Sequence, residues 1–294
     1  MVTWPHLPSE RILQRASLAS VAVESAIGAH VTVQAFAWSA GRVWLLAPTD
    51  SLKVRAIARQ PVIGVTVGTG NQAVLMSGVA ELIDVWPPRA GSLSPRLPFG
   101  LGWYFARNAA ITAGILTDLV SGDLPGLSSR TLISFAPDRS LTLDNGRIVH
   151  RSGDWPQTPV LPTAGVPQPI DTHADLLPTD RQPLLRNATH ANIGWPTALS
   201  TVSVPAKIVN GRAAVLPILA TEFGEPTGNG ALTVHASEGN RPSRYSGVML
   251  RGPLRCVSTG AVGIDVARVT WWEGYRSSTV ALDAKQRKSR RPTG

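Results

Sequence analysis

Within one seven-residue stretch, Thr49, Ser51, Lys53 and Arg55 gather where a strand gives way to a helix. The amide hydrogens of a helix's first turn lack partners inside the helix, and the helix dipole adds positive potential at the same end, so such a start attracts an anion. A hydroxyl and a lysine beside it complete a phosphate seat. Residue types alone leave a second reading open, in which Lys53, Arg55 and Arg59 form the solvated face of a surface helix.

Other chemistries find no matching pattern. His6, His30, His150, His173, His190 and His235 are scattered, without the helical His pair or acid spacing of a metal site. Gly-x-Ser-x-Gly, the turn that presents a hydrolase nucleophile, is absent. The glycine loops at 68–71 and 227–230 match no dinucleotide fingerprint. Trp271-Trp272 reads as core or interface. No catalytic residue and no metal ligand is assigned.

Charge and composition narrow the partners. The net charge is +9, but Lys285, Arg287, Lys288, Arg290 and Arg291 supply five of those charges in a tail without an acid. No second basic stripe with stacking aromatics accompanies them, so no nucleic-acid partner is expected. The single cysteine, Cys256, excludes an internal disulfide. No apolar run approaches the ~18 residues of a membrane helix, and the first ten residues lack an apolar stretch. A cytoplasmic protein without a membrane partner is expected.

The elements that must position the helix start are mostly strands. Twenty-four prolines and 27 glycines in 294 residues favour short strands and turns. Residues 16–23 read as a first strand, and residues 30–38 alternate, with Val31, Val33, Ala35 and Ala37 on one face and Thr32, Gln34, Phe36 and Trp38 on the other. A turn at 39–41 returns the chain through 42–47. The helix is predicted over 52–59, capped by Asp50 or Ser51 and ended before Pro61. Strands at 62–67 and 73–83 follow, the second interrupted at Gly78. One long helix is predicted over 101–120, with Leu101, Phe105, Ala109, Ala113, Leu116 and Val120 inward and Arg107, Asn108 and Asp118 opposite. A strand pair at 130–143, broken at Pro137-Asp138, closes the unit.

Seven prolines between residues 155 and 183 suit an extended spacer. Beyond them the pattern repeats in outline: a hairpin over 199–220 around Gly211-Arg212, a strand at 231–235, and a strand at 246–256 with Gly252 in the place of Gly78. The predicted organisation is a first barrel at 10–155, a linker at 156–183, a second, degenerate barrel at 184–283 and a basic tail at 284–294.

The set Ser51-Leu52-Lys53 to Ile57, Gln60-Pro61-Val62-Ile63 and Ser77-Gly78-Val79-Ala80 resembles the pyridoxamine 5′-phosphate oxidase-like superfamily of split barrels. The resemblance covers 16–84 and extends towards 150. Over 195–282 it is carried by segments such as the Arg268 to Gly274 strand. It implies a mainly β fold with some α-helix, two tandem split β-barrels of the FMN-binding type. It implies FMN or the deazaflavin coenzyme F-420 bound between two barrels, with the second barrel standing in for a second subunit. This intramolecular pseudo-dimer leaves pairing of whole chains open. By the same resemblance Ser51 and Lys53 hold the cofactor phosphate with Thr49 near, Arg55 is a further phosphate ligand, and Gln34, Phe36 and Trp38 flank the ring system. Leu52 stands where true pyridoxamine-phosphate oxidases carry a basic residue, and their Trp-x-Pro…Arg-Leu signature is missing, so that oxidation is not expected. The expectation is an FMN- or F-420-dependent oxidoreductase acting on a small organic molecule by hydride transfer, with a non-catalytic flavin, deazaflavin or haem carrier as the alternative.

Overall fold

The structure, a computed structural model, describes residues 8–69, 71–86, 95–122, 129–145, 147–155, 177–187, 190–197, 200–209, 212–215, 228–236, 242–258 and 261–282. The linker prolines up to residue 169, the 216–220 end of the second hairpin and the basic tail lie outside these residues.

The first unit is built from β1 (Leu18–Ser25), β2 (Gly28–Ser39), β3 (Arg42–Pro48), β4 (Val62–Thr69), β5 (Gln72–Trp86) and β6 (Arg130–Asp144). They pair antiparallel in the order β3-β2-β1-β4-β5-β6, and β3 pairs back onto β6 to close a six-stranded barrel. Closure removes the sheet edges that would otherwise template aggregation. β7 (Arg147–Ser152) continues the sheet beyond β6. Val21, Val23, Phe36, Leu45, Val65 and Phe135 fill the interior, which Ile12 and Leu13 of α1 (Pro8–Arg15) and Val54, Ala56 and Ile57 of α2 (Leu52–Arg59) complete. The alternation expected for 30–38 is therefore a barrel wall. The fold class matches the expectation: mainly β, with few helices.

β3 pairs only with Phe36 to Ser39 of β2, whereas β1 pairs with β2 from Gly28 to Ala35. The first half of β2 thus runs past β3, and this end of the barrel meets the second unit.

That unit contains β8 (His190–Pro196), β9 (Thr201–Val209), β10 (Arg212–Val215), β11 (Asn229–Ala236), β12 (Ser246–Ser258), β13 (Ala261–Ile264), β14 (Arg268–Glu273) and β15 (Arg276–Ala281). Its order, β10-β9-β8-β11-β12-β14-β15 with β13 also on β12, repeats that of the first unit. Long β6 corresponds to β13 and β14 together: β5 shifts register on β6 at Ser77/Gly78, and β12 passes from β14 to β13 beyond Arg251. The glycine match is physical. A Cβ on Gly78 would strike the Ala136 carbonyl, and one on Gly252 the Asp265 carbonyl, each where the partner strand breaks. Short α5 (Gln182–Arg186) sends Leu185 into the second core.

The two units pack sheet against sheet. Ala22, Ala29 and Val31 meet Ala231 and Met249, while Ala73, Leu75, Leu141 and Leu143 join the second unit's core. Polar contacts stitch the same interface: Ser20 with Ser203 at 3.0 Å, Ser77 with Ser200 at 2.8 Å, and the Thr233 hydroxyl donating to the Val31 carbonyl at 2.8 Å.

Residues 101–120 differ from expectation. Two helices stand there, α3 (Arg96–Arg107) and α4 (Ala109–Val120), divided at Asn108. The buried Asn108 amide donates to the Phe36 carbonyl at 3.1 Å and the Tyr104 carbonyl at 2.9 Å, competing with regular helix geometry. The inward face is also reversed. Gly100, Tyr104, Asn108 and Asp118 are buried, whereas Phe105, Ala109, Ala113, Leu116 and Val120 are exposed. Gly100 lies against the Trp44 ring, and the Asp118 carboxylate accepts from the Ser243 amide and hydroxyl and from the Tyr275 hydroxyl, so polar anchors override the apolar stripe. Residues 130–144, expected as a pair, form one bent strand, and α1 and β8 were not foreseen.

Alanine at Gly78 or Gly252 would force a side chain into backbone. Each variant is expected to lose about 1–3 kcal/mol of stability in denaturant unfolding, against a gain of up to about 1 kcal/mol for alanine at Gly102, which lies within α3 with open space around it.

Candidate anion site

β3 delivers the chain to α2 through a turn in which the Ser51 amide donates to the Pro48 carbonyl at 3.0 Å. Ser51, of the two candidates, is the cap: its hydroxyl accepts from the Val54 amide at 3.3 Å. α2 then buries Lys53, Val54, Ala56 and Ile57. Lys53, only 6% exposed, points into the barrel end, where its ammonium donates to Oε1 of Gln34 on β2.

A lysine in this setting is costly. No described carboxylate neutralises it, and burial alone pulls its pKa from 10.5 down to about 7. The residues beside it are equally unsatisfied. His30, Thr32 and Gln34 share one face of β2, and His30 Nδ1, Thr32 Oγ1 and Gln34 Nε2 are all buried without a hydrogen-bond partner. From the second unit, Arg251 on β12 is 6% exposed and holds Nε and Nη1 unpaired. Its pKa is lowered by burial and then by Arg268. His30 lies near both cations: burial first, then Arg251, then Lys53 pull its pKa to about 3, so the ring is neutral at physiological pH. Buried polar groups are ordinarily paired. Here donors and two cations collect with no acid among them, an arrangement complementary to an anion.

The expected residues separate into four groups. Lys53 and Gln34 come together, and Ser51 caps the helix that carries Lys53. Thr49 is half-buried nearby, its hydroxyl 2.9 Å from that of Thr131. Arg55 is exposed, because residues two apart on a helix point roughly 200° apart, and the structure does not bring it to Lys53. Phe36 is buried in the first core and Trp38 packs on it. The polar part of their face is 30–34, closer to the start of the strand than expected. Sequence reasoning missed His30, Thr32 and Arg251. The period-2 continuation from Gln34 back to His30 was a usable signal for the first two; nothing local pointed to Arg251. Among the described residues no group of three or more His, Cys, Asp or Glu could hold a metal, and no helix is long and apolar enough to cross a membrane.

The buried lysine sets a pH signature. Its folded pKa lies below its unfolded value, so the unfolded chain binds the extra proton between about pH 7 and pH 10.5. The stability contribution is present above pH 10.5 and lost as pH falls through about 7. Lys53→Met is therefore expected to raise the ligand-free protein's stability by on the order of 1–3 kcal/mol at pH 6, a gain that shrinks towards pH 10 in thermal melts.

No family model and no curated protein matches the chain. Solved structures give partial likenesses. A conserved hypothetical protein from Mycobacterium tuberculosis aligns with 49% of this chain and 87% of its own at 16% identity and TM-score 0.36. A protein related to general stress protein 26, of the pyridoxinephosphate oxidase family, from Clostridium acetobutylicum aligns with 48% and 89% at 14% identity and TM-score 0.34. An F420 reductase aligns with 47% and 98% at 18% identity and TM-score 0.32. Each likeness extends over about half of the chain.

Proposed function

We propose that this protein is a flavin- or deazaflavin-dependent oxidoreductase whose first barrel grips the cofactor's phosphate through Lys53. One observation carries the reading: a buried ammonium with no carboxylate, beside unpaired donors, on the helix whose start is capped by Ser51. A phosphate supplies what that corner lacks. It would accept from Lys53 and from the free Gln34 amide, with Ser51 and the first α2 amides within the same turn.

FMN and F-420 both carry such a phosphate, so the residues fit either. When bound, the cofactor supplies hydride chemistry. The chain's own part is binding, orientation and electrostatics. Lys53 anchors the anionic end and, once paired, is held protonated. Val21 and Val23, the barrel-wall partners of Thr32 and His30, keep the floor of the site dry. His30, neutral because of its burial and its cationic neighbours, can accept or donate a hydrogen bond without adding charge. Arg55 is assigned no role, since it faces solvent.

Titration of the purified protein with FMN and with F-420, followed by absorbance and fluorescence, tests the reading. Micromolar binding of at least one is expected, and Lys53→Ala should weaken it by ~1.5–3 kcal/mol. Affinity should also fall as pH rises above about 7, where the unliganded lysine loses its proton. Unchanged binding in the variant would remove the site assignment. Reduction of the bound cofactor followed by substrate-dependent reoxidation identifies the enzyme; reduction without turnover identifies the carrier.

A further inference from the structure

Arg251 has no place in the phosphate reading, and its burial demands an account. It projects from β12 on the same face as Met249, which packs with Ala29 and Val31 of β2. Its cross-strand partner is Ala231, two residues from Asn229, and Asn229 lies against Gly28 at the start of β2. The guanidinium therefore sits at the His30 end of β2, while Lys53 sits at the Gln34 end. Four residues of strand separate the two, about 13 Å.

The internal repeat supplies a comparison for this corner. Aligning the strand breaks puts Gly252 on Gly78, hence Arg251 on Ser77. Aligning the β2–β3 and β9–β10 hairpins, Ser39 opposite Arg42 and Val209 opposite Arg212, puts His30 on Ser200 and Gln34 on Val204. At the pseudo-equivalent position the interface is closed by the Ser77–Ser200 hydrogen bond of 2.8 Å, and Val204 is fully buried. Two small hydroxyls thus suffice to join the barrels there. The other side holds an arginine with unpaired Nε and Nη1 and a histidine with unpaired Nδ1.

We propose that Arg251, with His30, is a second anchoring point of the Lys53 site, so that one ligand per chain lies along β2 and is held by both barrels. The proposal rests on the phosphate reading and deepens it. A ligand with phosphate at Lys53 must present an acceptor-rich edge to a guanidinium fork some 13 Å away along the strand. The two-carbonyl pyrimidine edge of a flavin or deazaflavin has that chemistry. Arg251 is a positioning residue here, selecting the ring's polar edge where Lys53 selects its phosphate.

Riboflavin keeps the ring edge and lacks the phosphate, so comparing it with FMN separates the anchors; F-420 and its phosphate-free chromophore serve the same purpose if the deazaflavin binds. Arg251→Met is expected to weaken both members of the pair ~10-fold or more, whereas Lys53→Met weakens only the phosphate-bearing one. Ser77→Ala leaves both affinities unchanged, and calorimetry gives one site per chain. The melting temperature of ligand-free Arg251→Met should equal or exceed that of the parent, because an unpaired buried charge is removed. Should that variant not fold, Arg251→Lys, which keeps the charge but not the fork, is expected to weaken both probes as well. Unchanged riboflavin binding in the arginine variants, a loss confined to FMN, or two sites per chain would overturn the proposal while leaving the phosphate reading standing. Failure of the parent to bind any of the four probes would overturn both. Weakening by Arg251→Met without any effect of Lys53→Met would overturn the phosphate reading, and with it the two-anchor proposal.

Discussion

A lysine amine inside a barrel end, with only an amide oxygen to meet it, is the constraint on which the proposed site turns. Lys53 reaches Gln34 because α2 is capped at Ser51 and buries the 53–54 and 56–57 positions against the first core. In low dielectric that charge is unfavourable unless an opposite charge arrives. The ligand-free protein therefore carries a local cost, which under the proposed function a bound anion relieves, as expected where stability is exchanged for binding.

The packing of the second unit on the first barrel shapes the proposed site. A single barrel would leave the first half of β2, beyond β3, facing water. Packing β8, β11 and β12 against it buries Ala29 and Val31 and brings Arg251 near His30. Duplication of the strand order produces two pseudo-equivalent corners, and their residues have diverged in opposite directions. One holds Lys53, Gln34, His30 and Arg251; at the other, Val204 is buried and the Ser77–Ser200 pair closes the contact. Under the proposed function, the same topology serves binding on one side and adhesion on the other.

Much of this was legible in the sequence because it was local. Alternation over 30–38, the Pro61 stop after α2 and the interruption at Gly78 each reflect backbone rules acting within a few residues. Gly252 in the place of Gly78 was readable too, since both glycines answer the same strand break. Residues 101–120 misled because their apolar stripe faces outward: Asn108 and Asp118 are fixed by partners on β2 and in the second unit, which no helical period encodes. Lys53 and Gln34 were identified separately, but their contact was not. Arg251 was invisible for the same reason, as it is 198 positions from Lys53 in the chain. Phe36 and Trp38 belong to the first core, where the alternation alone could not tell lining from filling.

The most direct test is the protonation of Lys53 itself, followed by heteronuclear NMR of selectively labelled lysine in the free protein and in the presence of saturating FMN. The account predicts a pKa of about 7 in the free protein, rising on binding towards the ordinary lysine value of about 10.4. A lysine that already titrates near 10 without ligand, or whose pKa stays put when FMN binds, would contradict it.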